Sequence, residues 1–218
     1  MGRKVVILLG SPGAGKGTQA KEIMRRLKIP QISTGDMLRD VMERQNGLGK
    51  EIRDRINAGE LVSDATVNSI VAERIVRDDC GGGFILDGYP RTVFQAETFG
   101  RHLKKTDRLF VIEIGAEDHN ALERIVSRLM CSDCGEIYNS VSRMPRQRGM
   151  CDRCEKPLVR RSDDREDLII ERFKTYREET FPLVEHYQKF GCYHRVDGLR
   201  PIAEVSRDIR KIVDCEER

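Results

Sequence analysis

The chain has 218 residues, of which 34% are charged and only 6% aromatic, with no tryptophan and a formal net charge of +3. That length fits one α/β domain with insertions, and the charge is too mild for a general nucleic-acid binder. The sequence contains no run of about 18 apolar residues, so no transmembrane helix is expected.

The first predicted element is a buried strand over 4–10, built on Val5-Val6-Ile7-Leu8-Leu9. It begins within a few residues of the start, so no signal or transit segment is expected; the reading is a soluble, cytoplasmic protein. Gly-Ser-Pro-Gly-Ala-Gly-Lys-Gly-Thr follows over 10–18, and a helix is predicted over 16–28. Strand, glycine-rich turn and helix start together form a phosphate-binding loop. Glycines let the backbone turn its N–H groups inward, and the helix N-terminus adds partial positive charge. Gly13, Ala14, Gly15, Lys16, Gly17 and Thr18 are the candidate ATP cradle, with Lys16 reaching the β- and γ-phosphates. Gly17 separates the lysine from the hydroxyl of Thr18, a spacing seen in small nucleotide kinases rather than in motors or GTPases.

A short strand over 30–33 leads into helical stretches reaching about 79, and Gly81-Gly82-Gly83 releases the chain into a strand over 84–87. Asp87 caps that strand and so faces the phosphate loop, where an acidic residue organises magnesium. A helix over 92–104, a strand over 108–115 and a helix over 118–130 come next. On that last helix Arg124 and Arg128 are four residues apart and share a face, either converging on one ligand or forming a solvated basic face. Residues 131–160 break the periodicity. A long helix over 166–189, with Asp163 and Glu166 as a candidate capping pair, precedes a strand over 192–197 and a last helix over 202–215. The alternation predicts an α/β fold with a parallel five-stranded sheet and helices on both faces. Segments 33–62 and 131–160 stand outside that layer.

Cys131, Cys134, Cys151 and Cys154 form two Cys-x-x-Cys pairs with residues 135–150 between them. That spacing is a four-thiolate zinc ribbon, closed and structural because no coordination position is left open. A disulfide framework is the alternative for a secreted chain. The segment is too small and polar to fold on apolar burial, so the metal would supply its stability. Arg143, Arg146, Arg148 and Arg153 in this segment either contact nucleotide or keep it solvated, and solvation is the preferred reading. Cys80, Cys192 and Cys215 read as ordinary small residues. His102, His119, His186 and His194 form no constellation.

Stretches 32–39 (Ile-Ser-Thr-Gly-Asp-Met-Leu-Arg), 58–62 (Ala-Gly-Glu-Leu-Val) and 87–92 (Asp-Gly-Tyr-Pro-Arg-Thr), in that order after the phosphate loop, resemble adenylate kinases of the long-lid, zinc-binding type. The resemblance implies a core of 1–32, 63–127 and 161–218, an AMP-binding insertion over 33–62 and a lid over 128–160. It implies AMP contacts from Thr34, Gly35, Arg39, Ile56, Glu60, Leu61, Val62, Gly88, Arg91, Gln95, Arg161 and Arg172. Glu60 stands where relatives often carry lysine, which matters little if the contact is through backbone. On the ATP side it implies Arg124, Arg128, Tyr138 and Arg200, the last in Val-Asp-Gly-Leu-Arg-Pro over 196–201. Lys16, Asp87, Arg91, Arg124, Arg128, Arg161 and Arg172 would carry catalysis. Mg²⁺ with ATP and structural Zn²⁺ are the implied cofactors, and ATP, AMP and ADP the partners, with no nucleic acid and no membrane. A monomer is expected, because all these arginines come from one chain. A kinase for UMP or CMP, and a non-catalytic nucleotide or nucleic-acid binder using the ribbon as reader, are the competing readings.

Overall fold

The computed structural model describes residues 2–43 and 47–214, so Cys215 lies outside the described residues. The chain runs through β1 (Lys4–Leu9), α1 (Lys16–Leu27), β2 (Gln31–Ser33), α2 (Thr34–Met42), α3 (Gly47–Asn57), α4 (Asp64–Ile75) and β3 (Gly83–Asp87). Then come α5 (Val93–Gly100), β4 (Arg108–Gly115), α6 (Asp118–Val126) and three short strands, β5 (Arg128–Cys131), β6 (Ile137–Asn139) and β7 (Leu158–Val159). It returns through α7 (Glu166–Thr175), a π-turn (Tyr176–Thr180), α8 (Pro182–Gln188), β8 (Tyr193–Asp197) and α9 (Ile202–Asp214).

Five strands pair in parallel in the order β2-β3-β1-β4-β8. Successive residues of β1 point to opposite faces, and both faces are covered. Val5, Ile7 and Leu9 pack with Leu86, Phe99 and Leu183 on one side. Val6 and Leu8 pack with Ile85, Ile112, Ile23 and Ile209 on the other, under α1 and α9. A strand buried on both faces needs an unbroken apolar run, which is what 5–9 supplies. β1 sits at the point where the strand order reverses, and in open α/β sheets a crevice for ligand forms there, at the carboxyl ends of the strands.

The second sheet is small and antiparallel, ordered β6-β5-β7. It corrects the helix predicted over 118–130. α6 ends at Val126, and Arg128 opens β5 opposite Asn139. Arg124 and Arg128 therefore do not share a helix face. The cysteine-rich segment recruits 128–131 as a strand because Leu129 pairs with Tyr138, and the Ser140 amide donates to the Ser127 carbonyl.

The helix predicted over 166–189 is also corrected. Pro182 has no N–H to donate and its ring crowds the preceding turn. The chain widens into the π-turn instead, with the Phe181 amide donating to the Tyr176 carbonyl at 2.8 Å. α5 stops at Gly100 rather than at 104, with the Thr92 hydroxyl accepting from the Gln95 amide as its cap. The expected capping pair at α7 is absent: Arg165 holds the N-cap position without a side-chain bond, and Asp163 turns elsewhere.

Candidate active site

Gly10, Gly13 and Gly15 hold φ of +142°, +81° and +102°. A Cβ on Gly13 would stand 2.3 Å from the Ala121 carbonyl oxygen, so only glycine fits. Gly15 precedes α1 without a side-chain cap, leaving the first amides of that helix open to an anion. Lys16 Nζ folds back over the loop and donates to the carbonyls of Gly10 at 2.7 Å and Ser11 at 2.9 Å. The register of the sheet sets Asp87, at the end of β3, against Leu8 on β1 and Ser33 on β2. Its Oδ2 accepts from Gln31 at 2.9 Å and would lie 3.3 Å from a Cβ on Gly17.

The loop opens onto a cavity of about 650 Å³ lined by all of 13–18 and by Asp87. Arg39, Arg91, Arg124, Arg128, Arg161 and Arg172 line the same cavity, from α2, the turn after β3, α6, β5, the approach to α7 and α7 itself. Acidic groups and carbonyls hold them in place. Arg39 pairs with Asp36 at 2.5 Å, and Arg91 Nε donates to the Gly88 carbonyl at 2.9 Å. Arg124 donates to the Gly198 carbonyl at 2.9 Å. Arg128 forms a two-pronged pair with Asp164, its Nε at 2.8 Å. Arg172 lies 3.5 Å from Asp163, whose carboxylate also faces Arg39 at 3.7 Å.

These cations strain one another. Burial pulls Lys16 down to about 8; Asp87 opposes the fall, while Arg91, Arg172 and Arg128 deepen it. Burial likewise lowers Arg161 to about 10, helped by Arg128 and Arg39. Burial also lowers Arg91 and Arg172, and raises the Asp87 carboxyl against the pull of Lys16. A bound polyanion would relieve every one of the cations at once.

Other expected contacts divide. Gly35, Leu61, Gly88, Tyr138 and Arg200 line the cavity; Thr34, Ile56, Glu60, Val62 and Gln95 do not. Thr34 donates to the Gly88 carbonyl at 2.8 Å. Gln95 is engaged at both ends, accepting from the Arg91 amide at 2.7 Å and donating to Asp64 at 2.7 Å. Both therefore brace the Gly88–Arg91 turn from behind. Val62 is buried, Ile56 packs beside it on the core, and Glu60 reaches Arg55 at 3.5 Å. Tyr138 turns its hydroxyl to the Asp152 amide at 2.8 Å, and Arg200 pairs with Glu204 and Asp208 on α9. Arg143 lines the cavity, pairs with Glu136 at 2.7 Å and keeps its side chain 39% exposed. Gln31, Asp36, Thr175 and Tyr176 also line the cavity and Asp164 pairs with Arg128, none of them a residue the sequence motifs mark as a site. Asp36 and Asp164 sit inside matched motifs; for Thr175 and Tyr176 the signal was Pro182, a few residues on.

The four thiols of Cys131, Cys134, Cys151 and Cys154 lie within 4.8 Å of one another. Sulfur separations of 3.3, 3.5 and 3.6 Å are far beyond a disulfide bond and near the edge of about 3.8 Å expected of a tetrahedron with Zn–S of about 2.3 Å. The Arg153 amide points at Cys151 Sγ at 3.4 Å, as a thiolate ligand requires. The chemistry of the donor set fits zinc. Beside Gly17, the Asp87 carboxylate and Thr18 hydroxyl are hard oxygen donors that suit magnesium.

A phosphate loop at the switch point of a parallel sheet, facing arginines from separate elements, defines a phosphate-loop α/β domain of the nucleotide kinase class. The family described as adenylate kinase matches residues 8–192. A protein named adenylate kinase from Thermosipho melanesiensis is 42% identical over 210 residues, covering 95% of this chain and 98% of its own length. One of the same name from Archaeoglobus fulgidus is 41% identical over 211 residues, covering 96% and 97%. Another, from Thermotoga maritima, is 41% identical over 216 residues, covering 98% of each. The chain belongs to the adenylate kinase family, and is thus a nucleoside monophosphate kinase. Among the described residues, no helix is long and apolar enough to cross a membrane.

Proposed function

We propose that the chain catalyses reversible transfer of the terminal phosphoryl group of MgATP to AMP, giving two ADP, as a cytoplasmic monomer. The observation that carries this reading is the shared cavity, in which the phosphate loop faces six arginines, three of which (Arg91, Arg161 and Arg172) are held below their ordinary pKa by burial. Those arginines all belong to one chain, which supports the monomer.

An oxygen of the AMP phosphate attacks the γ-phosphorus as the bond to the bridging oxygen of ADP breaks. The acceptor is already largely ionised at neutral pH, so no general base is needed. The work is alignment and neutralisation of charge that spreads onto the transferred group. Lys16 and the open amides of 13–18 would hold the donor phosphates. Arg39 and Arg91 would hold the AMP phosphate, and Arg124, Arg128, Arg161 and Arg172 would surround the group in flight. Magnesium, held near Asp87 and Thr18, would neutralise charge on the β- and γ-phosphates. Zinc on the four cysteines would fold the lid. Segments 33–62 and 128–160 would close over both nucleotides and keep water from the phosphoryl group.

Assaying AMP, GMP, CMP, UMP and IMP as acceptors with MgATP tests the proposal. AMP should dominate, and Arg91→Ala should lower kcat/KM for AMP by about 100-fold or more. Equal turnover of CMP or UMP, or an unchanged Arg91→Ala enzyme, would overturn it.

A further inference from the structure

Glu136 follows the first cysteine pair, between β5 and β6, and no sequence motif marks it. Its carboxylate is nearly buried, at 4% exposure, yet it meets three cations. Arg143, from its own lid, donates to one oxygen at 2.7 Å. Lys21 and Arg25, both on α1, stand 3.4 and 3.7 Å from the other. Lys21 also donates to the neighbouring Gly135 carbonyl at 2.6 Å. The backbone at this point is pinned by the cysteine knuckle, since the Cys131 amide donates to the Glu136 carbonyl at 2.9 Å.

We propose that Glu136 is a positioning residue for the donor phosphate site, latching the lid onto α1 through Lys21 and Arg25. The proposal rests on the donor-site reading given above. What the latch holds in place is next to it in the chain. Ile137 Cδ1 would be 3.4 Å from a Cβ on Gly17, so this lid residue sits on the phosphate loop itself. Arg143, tied to Glu136, lies over the Tyr138 ring at 5.4 Å and lines the cavity. α1 is the helix whose first turn carries Lys16 and Thr18. Its next turn carries Lys21, so one short helix both faces the donor phosphates and grips the cover above them. A carboxylate so enclosed loses its α1 partners when the lid lifts, although water then reaches it. The latch is accordingly modest in strength and sensitive to salt.

The test uses full-length, zinc-loaded protein in four forms: the parent, Glu136→Gln, Lys21→Met and the double variant. Each single change should raise KM for ATP about three- to tenfold, leave KM for AMP within about twofold, and spare zinc content. The double variant should fall short of the product of the two single effects, because the two changes share the Lys21–Glu136 contact. Raising KCl from about 0.05 to about 0.5 M should raise KM for ATP in every form, because the phosphates themselves bind to cations, and more steeply in the parent than in the variants. In ligand-free protein, amides of 137–143 should exchange hydrogen faster in all variants. Additive effects in the double variant, or unchanged exchange over 137–143, would overturn the latch. If Glu136→Gln loses zinc, Lys21→Met, on α1 and outside the cysteine segment, decides alone by exchange and salt response, provided that it keeps its zinc. Failure of every form to phosphorylate AMP would instead overturn the proposed function, while the exchange data would still judge the latch.

Discussion

Lys16 is held by two carbonyls of its own loop amid several guanidinium groups, and burial makes its ammonium unusually acidic. With its amine lowered to about 8, the free protein sheds this charge as pH rises through that value. Donor phosphates favour the charged form, so binding above pH 8 must take up a proton, and affinity falls as pH rises. Titration calorimetry with MgATP should therefore show Kd rising by about tenfold between pH 7 and pH 9. A flat profile would mean that Lys16 does not meet the phosphates. Residues of this kind are legible in a sequence because the loop's chemistry is local: spacing fixes both backbone and lysine. Asp163 was not legible. Its neighbour Glu166 suggested a helix cap, but the tertiary fold brings Arg172 and Arg39 to it, and charge outweighs one capping bond.

Among elements, the lid differs from the rest in what holds it together. Its buried cluster consists of little more than Cys131, Cys151, Tyr138 and the half-buried residues around them. Such a cluster supplies little apolar burial to order the segment, and on the proposed function a metal on the thiolates supplies the rest. Intact-protein mass spectrometry should find one zinc per chain, and Cys134→Ser should lose it. Hydrogen exchange over 131–158 should then accelerate sharply while β1, β3 and β4 stay protected. Protection that persists in the zinc-free lid would refute a structural role. The sheet strands, α1 and the cysteine pairs were readable from apolar runs and spacing. The end of α6 was not, because Arg128 has no local reason to leave a helix; it does so only because β6 and β7 arrive from later in the chain. The π-turn had a visible cause in Pro182, but its position on the cavity wall depends on how α7 packs.

For the molecule as a whole, the proposed function has the cavity bind two nucleotides, which its gathered positive charge suits. A single molecule joining two adenosines through five phosphates should engage the loop and the arginines together. Ligand that binds only the folded state stabilises it by about 2.7 kcal/mol at a hundredfold excess over Kd. For a chain of this size that is roughly 5–10 °C in Tm, readable by calorimetry. ATP alone at an equal concentration should shift Tm less, because half of the cage stays empty. An equal shift with either compound would mean that one nucleotide subsite does not exist.

The lid leaves the body and returns to it side by side: Met130 pairs with Val159 and Cys131 with Leu158. To the parallel sheet, everything between those pairs is a loop with its ends already joined. Its length does not enter the pairing of that sheet, although its side chains reach α1 and the phosphate loop. A short polar hairpin grafted there, or a larger cassette, leaves the register of β1 and β4 untouched. The strand pairing at the two ends of the segment thus separates the cover from the register of the vessel.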